Sequence, residues 1–111
     1  MAVKGITIVE GQQLTASTAT YYTAGTNRTR IDKMTICNTT GTARTFDLHI
    51  VPSGGAASAS NQVIDAKSVG AGETYLCPEV VGHWLEPGDT IQAVASAASA
   101  LSIVASGIEV N

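Results

Sequence analysis

The chain is short of charged residues. Only 14% of its 111 residues are Asp, Glu, Lys or Arg, against roughly 25% in an ordinary soluble domain. Threonine, serine, alanine and glycine take their place. Because a free monomer usually keeps more charge on its surface to stay dispersed, the deficit favours a surface covered by copies of the chain or by a partner. A threonine-rich surface that is solvated on its own is the alternative interpretation.

Positive charge is especially scarce. The chain has six basic against nine acidic residues, a formal net charge of −3. Arg28 and Arg30 are close together, but Thr29 separates them and Asp32 follows. Neutralising a phosphate backbone needs a basic stripe, and none is visible. We therefore expect no nucleic-acid partner.

Long apolar runs are absent. No window approaches the roughly 18 consecutive apolar residues of a membrane-spanning helix. The opening "MAVKGITIVE" has neither the apolar segment nor the cleavage site of a signal peptide. We therefore expect a protein made in the cytosol, with no membrane partner. In that reducing compartment Cys37 and Cys77 are expected to remain thiols.

What the chain does have is short apolar–polar alternation, broken by turn residues about every ten positions. This pattern is typical of all-β proteins. The segment "ARTFDLHIV" is its clearest example: Phe46, Leu48 and Ile50 should point inward and His49 outward. We predict about eight strands, without a convincing helix, in an antiparallel two-sheet sandwich of the jelly-roll or Ig-like type. Since aromatic residues make up 5% of the chain, its core must be mainly aliphatic.

Connection lengths suggest which strands pair. The turn "NTTG" between the third and fourth strands is short, which predicts that these two strands form a hairpin. The segment "SAASA" spans barely one helical turn and has no apolar stripe, so we interpret it as a second hairpin connection, between the last two strands.

The segment "HWLEPGDTIQ", residues 83–92, has two interpretations. As a corner, its proline and glycine suit a type II turn, and Asp89 can cap the exit. As a chemical site, His83, Glu86 and Asp89 would form a metal or acid–base cluster. Metal sites usually draw on more than one histidine or on a close cysteine pair, whereas His49 lies on another strand. We favour the corner and expect no catalytic residue, metal site or cofactor.

Four residues near loops are candidates for ligand or interface contacts. Trp84 either fills a gap at the end of the sandwich or stacks on a ligand such as a sugar. In the second case Tyr21 and Tyr22 would be further anchors, and His83 adjoins the tryptophan. The chain contains no G-x-S-x-G nucleophile motif and no phosphate-binding loop that opens a helix, so none of these residues is assigned a catalytic role.

Several segments resemble small proteins encoded among the virion genes of tailed bacteriophages and prophages. The similar segments are "YTAG", "IDKMTICNT", "HIVPSGG" and "LEPGDTIQA". The resemblance covers nearly all of the chain beyond residue 20. It includes no catalytic motif, so no functional residue is carried over.

The resemblance implies a non-enzymatic structural component of a virus particle, assembled in the cytoplasm of a bacterial host. We expect a capsid decoration or cement subunit whose partners are copies of itself and the major capsid or another virion protein. The alternative is a receptor- or glycan-binding module of a tail fibre or baseplate. Residues 21–111 are expected to form the β-sandwich domain. Residues 1–20 are expected to form an N-terminal strand or an arm that reaches a neighbouring subunit.

Overall fold

The computed structural model describes residues 2–111 and consists of nine β-strands with one short 3₁₀ turn at Ala59–Asn61. The strands are β1 (Val3–Gln13), β2 (Ala19–Thr23), β3 (Arg28–Asn38), β4 (Arg44–Val51), β5 (Gln62–Val69), β6 (Thr74–Tyr75), β7 (Trp84–Leu85), β8 (Thr90–Ala95) and β9 (Leu101–Val110). The strand that the sequence pattern did not predict is β7, which lies in the segment interpreted as a corner. Within the described residues, no helix is long and apolar enough to cross a membrane.

The strands form two antiparallel sheets. The first sheet has the order β1-β9-β3-β6, with β7 also paired to β3, and the second has the order β2-β8-β4-β5. The first half of the chain therefore pairs with the second half in reverse order: β1 with β9, β2 with β8, β3 with β6 and β7, and β4 with β5. This is the winding of a jelly roll. The predicted all-β, two-sheet sandwich is confirmed.

The core lies between the two sheets and is mainly aliphatic, as the low aromatic content predicts. The largest fully buried side chains are Phe46, Leu14, Ile31, Met34, Ile36, Leu48, Leu85, Ile91, Leu101, Ile103, Val9 and Val51. In β4, the inward positions Phe46, Leu48 and Ile50 are buried as expected. Alternation along each strand thus identifies the residues that the two sheets bury against each other.

Both predicted hairpins are wrong. β3 belongs to the first sheet and β4 to the second, so residues 39–43 turn a corner between sheets instead of closing a hairpin. Asn38, fully buried, builds this corner: its side-chain amide donates to the carbonyls of Thr42 and Val69, and its Oδ1 accepts from Thr40. Residues 96–100 likewise cross from β8 to β9 in the other sheet. A short connection fits either geometry, so its length cannot decide between them.

His49 does not lie in solvent as predicted. Its side chain leaves the outer side of β4, but the loop from Pro52 to Asn61 folds over it and leaves it 8% exposed. Nδ1 is 2.9 Å from Oδ1 of Asn61 and 3.1 Å from the carbonyl oxygen of Ser58. Because both partners are acceptors, Nδ1 must carry the proton that it donates. The direction inferred from alternation is correct, and the error lies in the loop that covers the residue.

The first sheet depends on a close approach of β9 to β3. A Cβ built on Gly107 would lie 1.9 Å from the carbonyl oxygen of Arg30. At the edge of the same sheet, β1 pairs with β9 of its own chain from Val3 to Gln13, with two register shifts. The proposed reach of the N-terminal segment toward a neighbouring subunit stays a prediction.

Candidate interaction surface

Trp84 lies beside two arginines on the outer side of the first sheet. Arg28 and Arg30 are two residues apart on β3, so their side chains leave the same face of the strand. Trp84 on β7 pairs directly with Arg30. The guanidinium carbons of Arg28 and Arg30 are 4.5 and 5.7 Å from the centroid of the tryptophan ring. Both distances suit cation–π contacts, and we call these three residues the arginine–tryptophan cluster.

Each arginine of the cluster is held by a carboxylate through one nitrogen. Nε of Arg28 donates to Glu86 at 2.9 Å, and Nε of Arg30 donates to Asp32 at 2.8 Å. All four side chains are between 40% and 56% exposed, so these pairs add little to stability. Within residues 2–111, the terminal amino groups of both arginines make no hydrogen bond. The cluster therefore presents oriented, unused donors.

The turn "EPGD" positions one of the two carboxylates. The backbone N–H of Asp89 donates to the carbonyl of Glu86 at 3.0 Å, and the carboxylate of Asp89 accepts from the N–H of Glu86 at 2.9 Å. Gly88 has a φ of 87°, the left-handed conformation that position i+2 of a type II turn requires. The corner interpretation of this segment is thus confirmed, and the turn holds Glu86 against Arg28.

The structure does not bring the four candidate residues together. Tyr21 is 8% exposed, and its hydroxyl accepts a hydrogen bond from the backbone of Thr15. The hydroxyl of Tyr22 lies 3.1 Å from Oγ1 of buried Thr29. Both tyrosines belong to β2 in the second sheet. Of the four candidates, only Trp84 and its neighbour His83 are on the side of the first sheet, where His83 is exposed and Trp84 is partly buried.

The acid–base interpretation of the corner finds no converging group. His83 is exposed and His49 is enclosed by its loop on the second sheet. Across the described part of the chain, no three His, Cys, Asp or Glu side chains lie close enough to hold a metal ion. Both carboxylates of the corner already have partners in the Arg28 side chain and in the backbone of the turn.

Burial raises the pKa of two groups in or just after β6, an edge strand of the first sheet. It raises the pKa of the Cys77 thiol from its ordinary 9.0 to about 12, and the Glu79 carboxylate adds to the effect. Burial, together with a hydrogen bond to Glu79, raises the pKa of Tyr75 to about 12. A thiol with so high a pKa is a poor nucleophile. Cys37, which is partly exposed, is the other free cysteine.

The most exposed large apolar side chains belong to strands of the first sheet or to a connection between two of its strands. The large hydrophobic residues with the greatest exposure are Val3, Leu76, Val81 and Val104, between 48% and 61%. Val3 and Val104 are on β1 and β9, and the other two are in the connection between β6 and β7. No residue of β2, β4, β5 or β8 belongs to this group among the described residues.

A shallow depression lies on the outer side of the first sheet, further along β3 and β9 than the arginine–tryptophan cluster. Its volume is about 250 Å³, and it is lined by Lys33, Thr35, Val104, Ala105 and Ser106. We define the outer face as this depression together with the arginine–tryptophan cluster. The residues that sequence reasoning missed here are the two arginines. Their spacing of two on a strand was the available signal, because that spacing puts both side chains on one face.

No protein-family model and no curated protein matches this chain. Its fold is similar to that of a chain in the structure of infectious bursal disease virus, Gx strain, with a TM-score of 0.53 and 19% sequence identity over 97% of this chain. A chain in the crystal structure of the T13 viral particle of the same virus gives a TM-score of 0.54 at 13% identity over 99%. This chain spans about one third of the length of each, 32% and 31%. These likenesses establish the shared fold.

Proposed function

We propose that this chain is a non-enzymatic structural subunit of a virus particle and acts through contacts with copies of itself and with other coat proteins. The observation that carries this proposal is the fold: the strands wind as a jelly roll, and chains of infectious bursal disease virus structures have a similar fold over almost the whole of this chain. Jelly rolls are common in viral capsids but also occur in lectins and cupins. The surface of the molecule therefore has to support the choice among these classes.

The surface supports contact with other proteins. Charged residues are few, and the most exposed large hydrophobic residues belong to strands of the first sheet or to the connection between β6 and β7. The arginine–tryptophan cluster adds the residue types that contribute most to protein–protein interfaces. Tryptophan grouped with arginine, as in this cluster, is typical of an interaction surface.

The finer part of the proposal is a tailed-bacteriophage capsid decoration or cement subunit that works as a homo-oligomer in the virion. The resemblance of "IDKMTICNT", "HIVPSGG" and "LEPGDTIQA" to small phage virion proteins supports it. Such a subunit would be assembled in the bacterial cytoplasm. Its partners would be its own copies and the major capsid or another virion protein.

Two measurements test the proposal. Native mass spectrometry and sedimentation velocity on the purified chain should show a defined homo-oligomer. Mass spectrometry of virus particles purified from the producing culture should find the chain in a constant ratio to the major coat protein. A chain that stays monomeric at every concentration and is missing from purified particles would contradict the proposal.

A receptor- or glycan-binding module stays the second candidate, because Trp84 is partly exposed. Two observations weigh against a glycan-binding role: Arg28 lies over the tryptophan ring, and the ring of Tyr21 is buried. A glycan array decides between the two functions. Saturable binding that disappears in Trp84→Ala would favour the glycan module, whereas a decoration subunit should bind no glycan on the array.

A further inference from the structure

The arginine–tryptophan cluster holds donors that the fold does not use. Nε of Arg28 and Nε of Arg30 each donate a hydrogen bond to a carboxylate. The terminal amino groups of both arginines have no hydrogen-bond partner within residues 2–111. A guanidinium fork binds a second carboxylate well, because charge-assisted hydrogen bonds of fixed geometry are strong. Contact with Trp84 and the bridges to Asp32 and Glu86 restrict both side chains in advance. Such restriction lowers the entropy that binding must offset.

The spacing of the two arginines specifies the shape of a complementary ligand. Residues two apart on a strand are about 7 Å apart on one face. An extended polypeptide with two acidic residues at positions i and i+2 has the same spacing. Laid along β3 and β9, its next positions on that face would reach the depression beside Val104, where Lys33, Thr35 and Ser106 supply further polar contacts.

The charge of the outer face favours an acidic ligand. Three of the six basic residues, Arg28, Arg30 and Lys33, belong to the outer face, where Glu86 and Asp32 pair with the two arginines. Because these two carboxylates bind Nε of each arginine, an added carboxylate can bind the terminal amino groups. Three basic residues are too few for a nucleic-acid backbone, whose binding rests on many phosphate contacts.

We infer that the outer face of the first sheet binds an extended acidic segment of another protein, with its carboxylates on Arg28 and Arg30 and an apolar side chain in the depression beside Val104. This inference rests on the proposed function, in which the chain works through protein contacts, and it adds the chemistry of the partner and the surface that receives it. Trp84, the only tryptophan of the chain, is a built-in reporter of the event.

The test uses the full chain and a synthetic peptide that contains no tryptophan. In the first peptide every second residue is serine, and the residues between the serines are two glutamates followed by two leucines. A second peptide has the leucines before the glutamates, because either direction along the strands is possible. We expect one of them to change the fluorescence of Trp84 saturably, with a Kd of about 1 mM or tighter. The affinity should fall as salt concentration rises.

Matched controls separate this site from general attraction between charges. A peptide with glutamine in place of glutamate should bind at least about tenfold more weakly. The double variant Arg28→Gln/Arg30→Gln should lose about tenfold or more in affinity. The control variant Arg44→Gln/Lys67→Gln removes the same charge from β4 and β5 of the second sheet and should bind like the unaltered chain. Circular dichroism should show that both variants fold.

Three results would overturn the inference: no saturable signal with either acidic peptide, equal affinity in the two double variants, or tighter binding of a single-stranded RNA homopolymer than of the peptide. Loss of self-association in Arg28→Gln/Arg30→Gln would also overturn it, because the occupant would then be a second copy. The proposed function fails separately, by a monomeric chain that is missing from virus particles. An unaltered oligomer in the arginine variant would leave that function intact while peptide binding alone decides the inference.

Discussion

The outer sides of the two sheets differ although both sheets contribute to one core. The first sheet leaves Val104, Trp84 and two arginines at its surface. The second sheet is partly covered by its own chain, since the loop after β4 folds over His49 and bonds to its ring. The first sheet thus leaves these side chains at its surface, whereas the second uses part of its outer side for internal packing.

The difference shows that the shared core constrains only the inner face of each sheet. The inner faces of both sheets follow one rule, alternation of apolar residues into a shared core. The outer faces are not constrained by that rule, and each has been used differently. Changes on the outer side of the second sheet should therefore affect stability, whereas changes on the outer face of the first sheet should affect binding.

The largest expected effect comes from closing the space between β9 and β3. Gly107→Ala would place a methyl group 1.9 Å from the carbonyl oxygen of Arg30, and we expect the free energy of unfolding to fall by about 3–5 kcal/mol. Gly5→Ala, in the same sheet and with no atom within 4 Å of the added group, is the control and should change it by less than about 0.5 kcal/mol. Urea denaturation measures both. Equal stability of the two variants would show that the strands can separate without cost.

A smaller loss of stability is expected from a substitution on the outer side of each sheet, and the two losses should differ. His49→Ala removes a buried ring and its hydrogen bonds to the loop, so we expect a loss of about 2 kcal/mol. Val104→Ala on the outer face of the first sheet removes a side chain that is 48% exposed and should cost less than about 1 kcal/mol. Chemical denaturation compares them. A larger loss for Val104→Ala would reverse the roles assigned to the two sides.

Stability should fall in alkaline solution because the thiol of Cys77 is buried. Burial raises the pKa of the Cys77 thiol from its ordinary 9.0 to about 12, so the unfolded chain releases this proton at lower pH than the folded chain. The stabilisation is complete below about pH 9 and is lost as the pH rises toward 12. Between about pH 8 and about pH 10.5 we expect a loss of about 1–2 kcal/mol. The matched variant Cys77→Ala should lose less over this interval, and a pH dependence identical to that of the unaltered chain would exclude the thiol as a cause.

The smallest predicted effect is a difference in thiol labelling between the two cysteines, and it needs no substitution. Cys37 is partly exposed, whereas Cys77 is fully buried. A thiol reagent near neutral pH should therefore modify one cysteine in the folded chain and two after denaturation. Peptide mapping identifies the modified position. Faster labelling of Cys77 than of Cys37 in the folded chain would contradict the burial of the thiol.

Local pattern predicted the inner faces well and the pairing of strands poorly. Phe46, Leu48 and Ile50 are buried because alternation depends only on neighbouring residues along one strand. Pairing depends on residues distant in sequence: β3 joins β9, and the turn beside Asn38 leads to the other sheet. A buried asparagine that bonds to three different residues distinguishes this corner from a hairpin, and its partner Val69 lies far along the chain.

The candidate surface was predicted only in part. Trp84 was identified by its rarity, but its neighbours were sought among tyrosines that lie on the other sheet. Arg28 and Arg30 form no basic stripe, because Thr29 separates them and Asp32 follows. In a strand, however, Thr29 turns to the opposite face and leaves both arginines on one face. Burial also removed Tyr21 from the surface, and a single sequence does not reveal which of two adjacent tyrosines faces the core.

The amino-acid sequence by itself determined that this is an all-β protein with a thin aliphatic core and a surface poor in charge, since alternation and composition act through each residue and its nearest neighbours. Only the tertiary structure decided the jelly-roll winding, the cover over His49 and the meeting of Arg28, Arg30 and Trp84. The physical reason is that these features depend on backbone pairing and loop packing between segments far apart in the chain, which no local periodicity encodes.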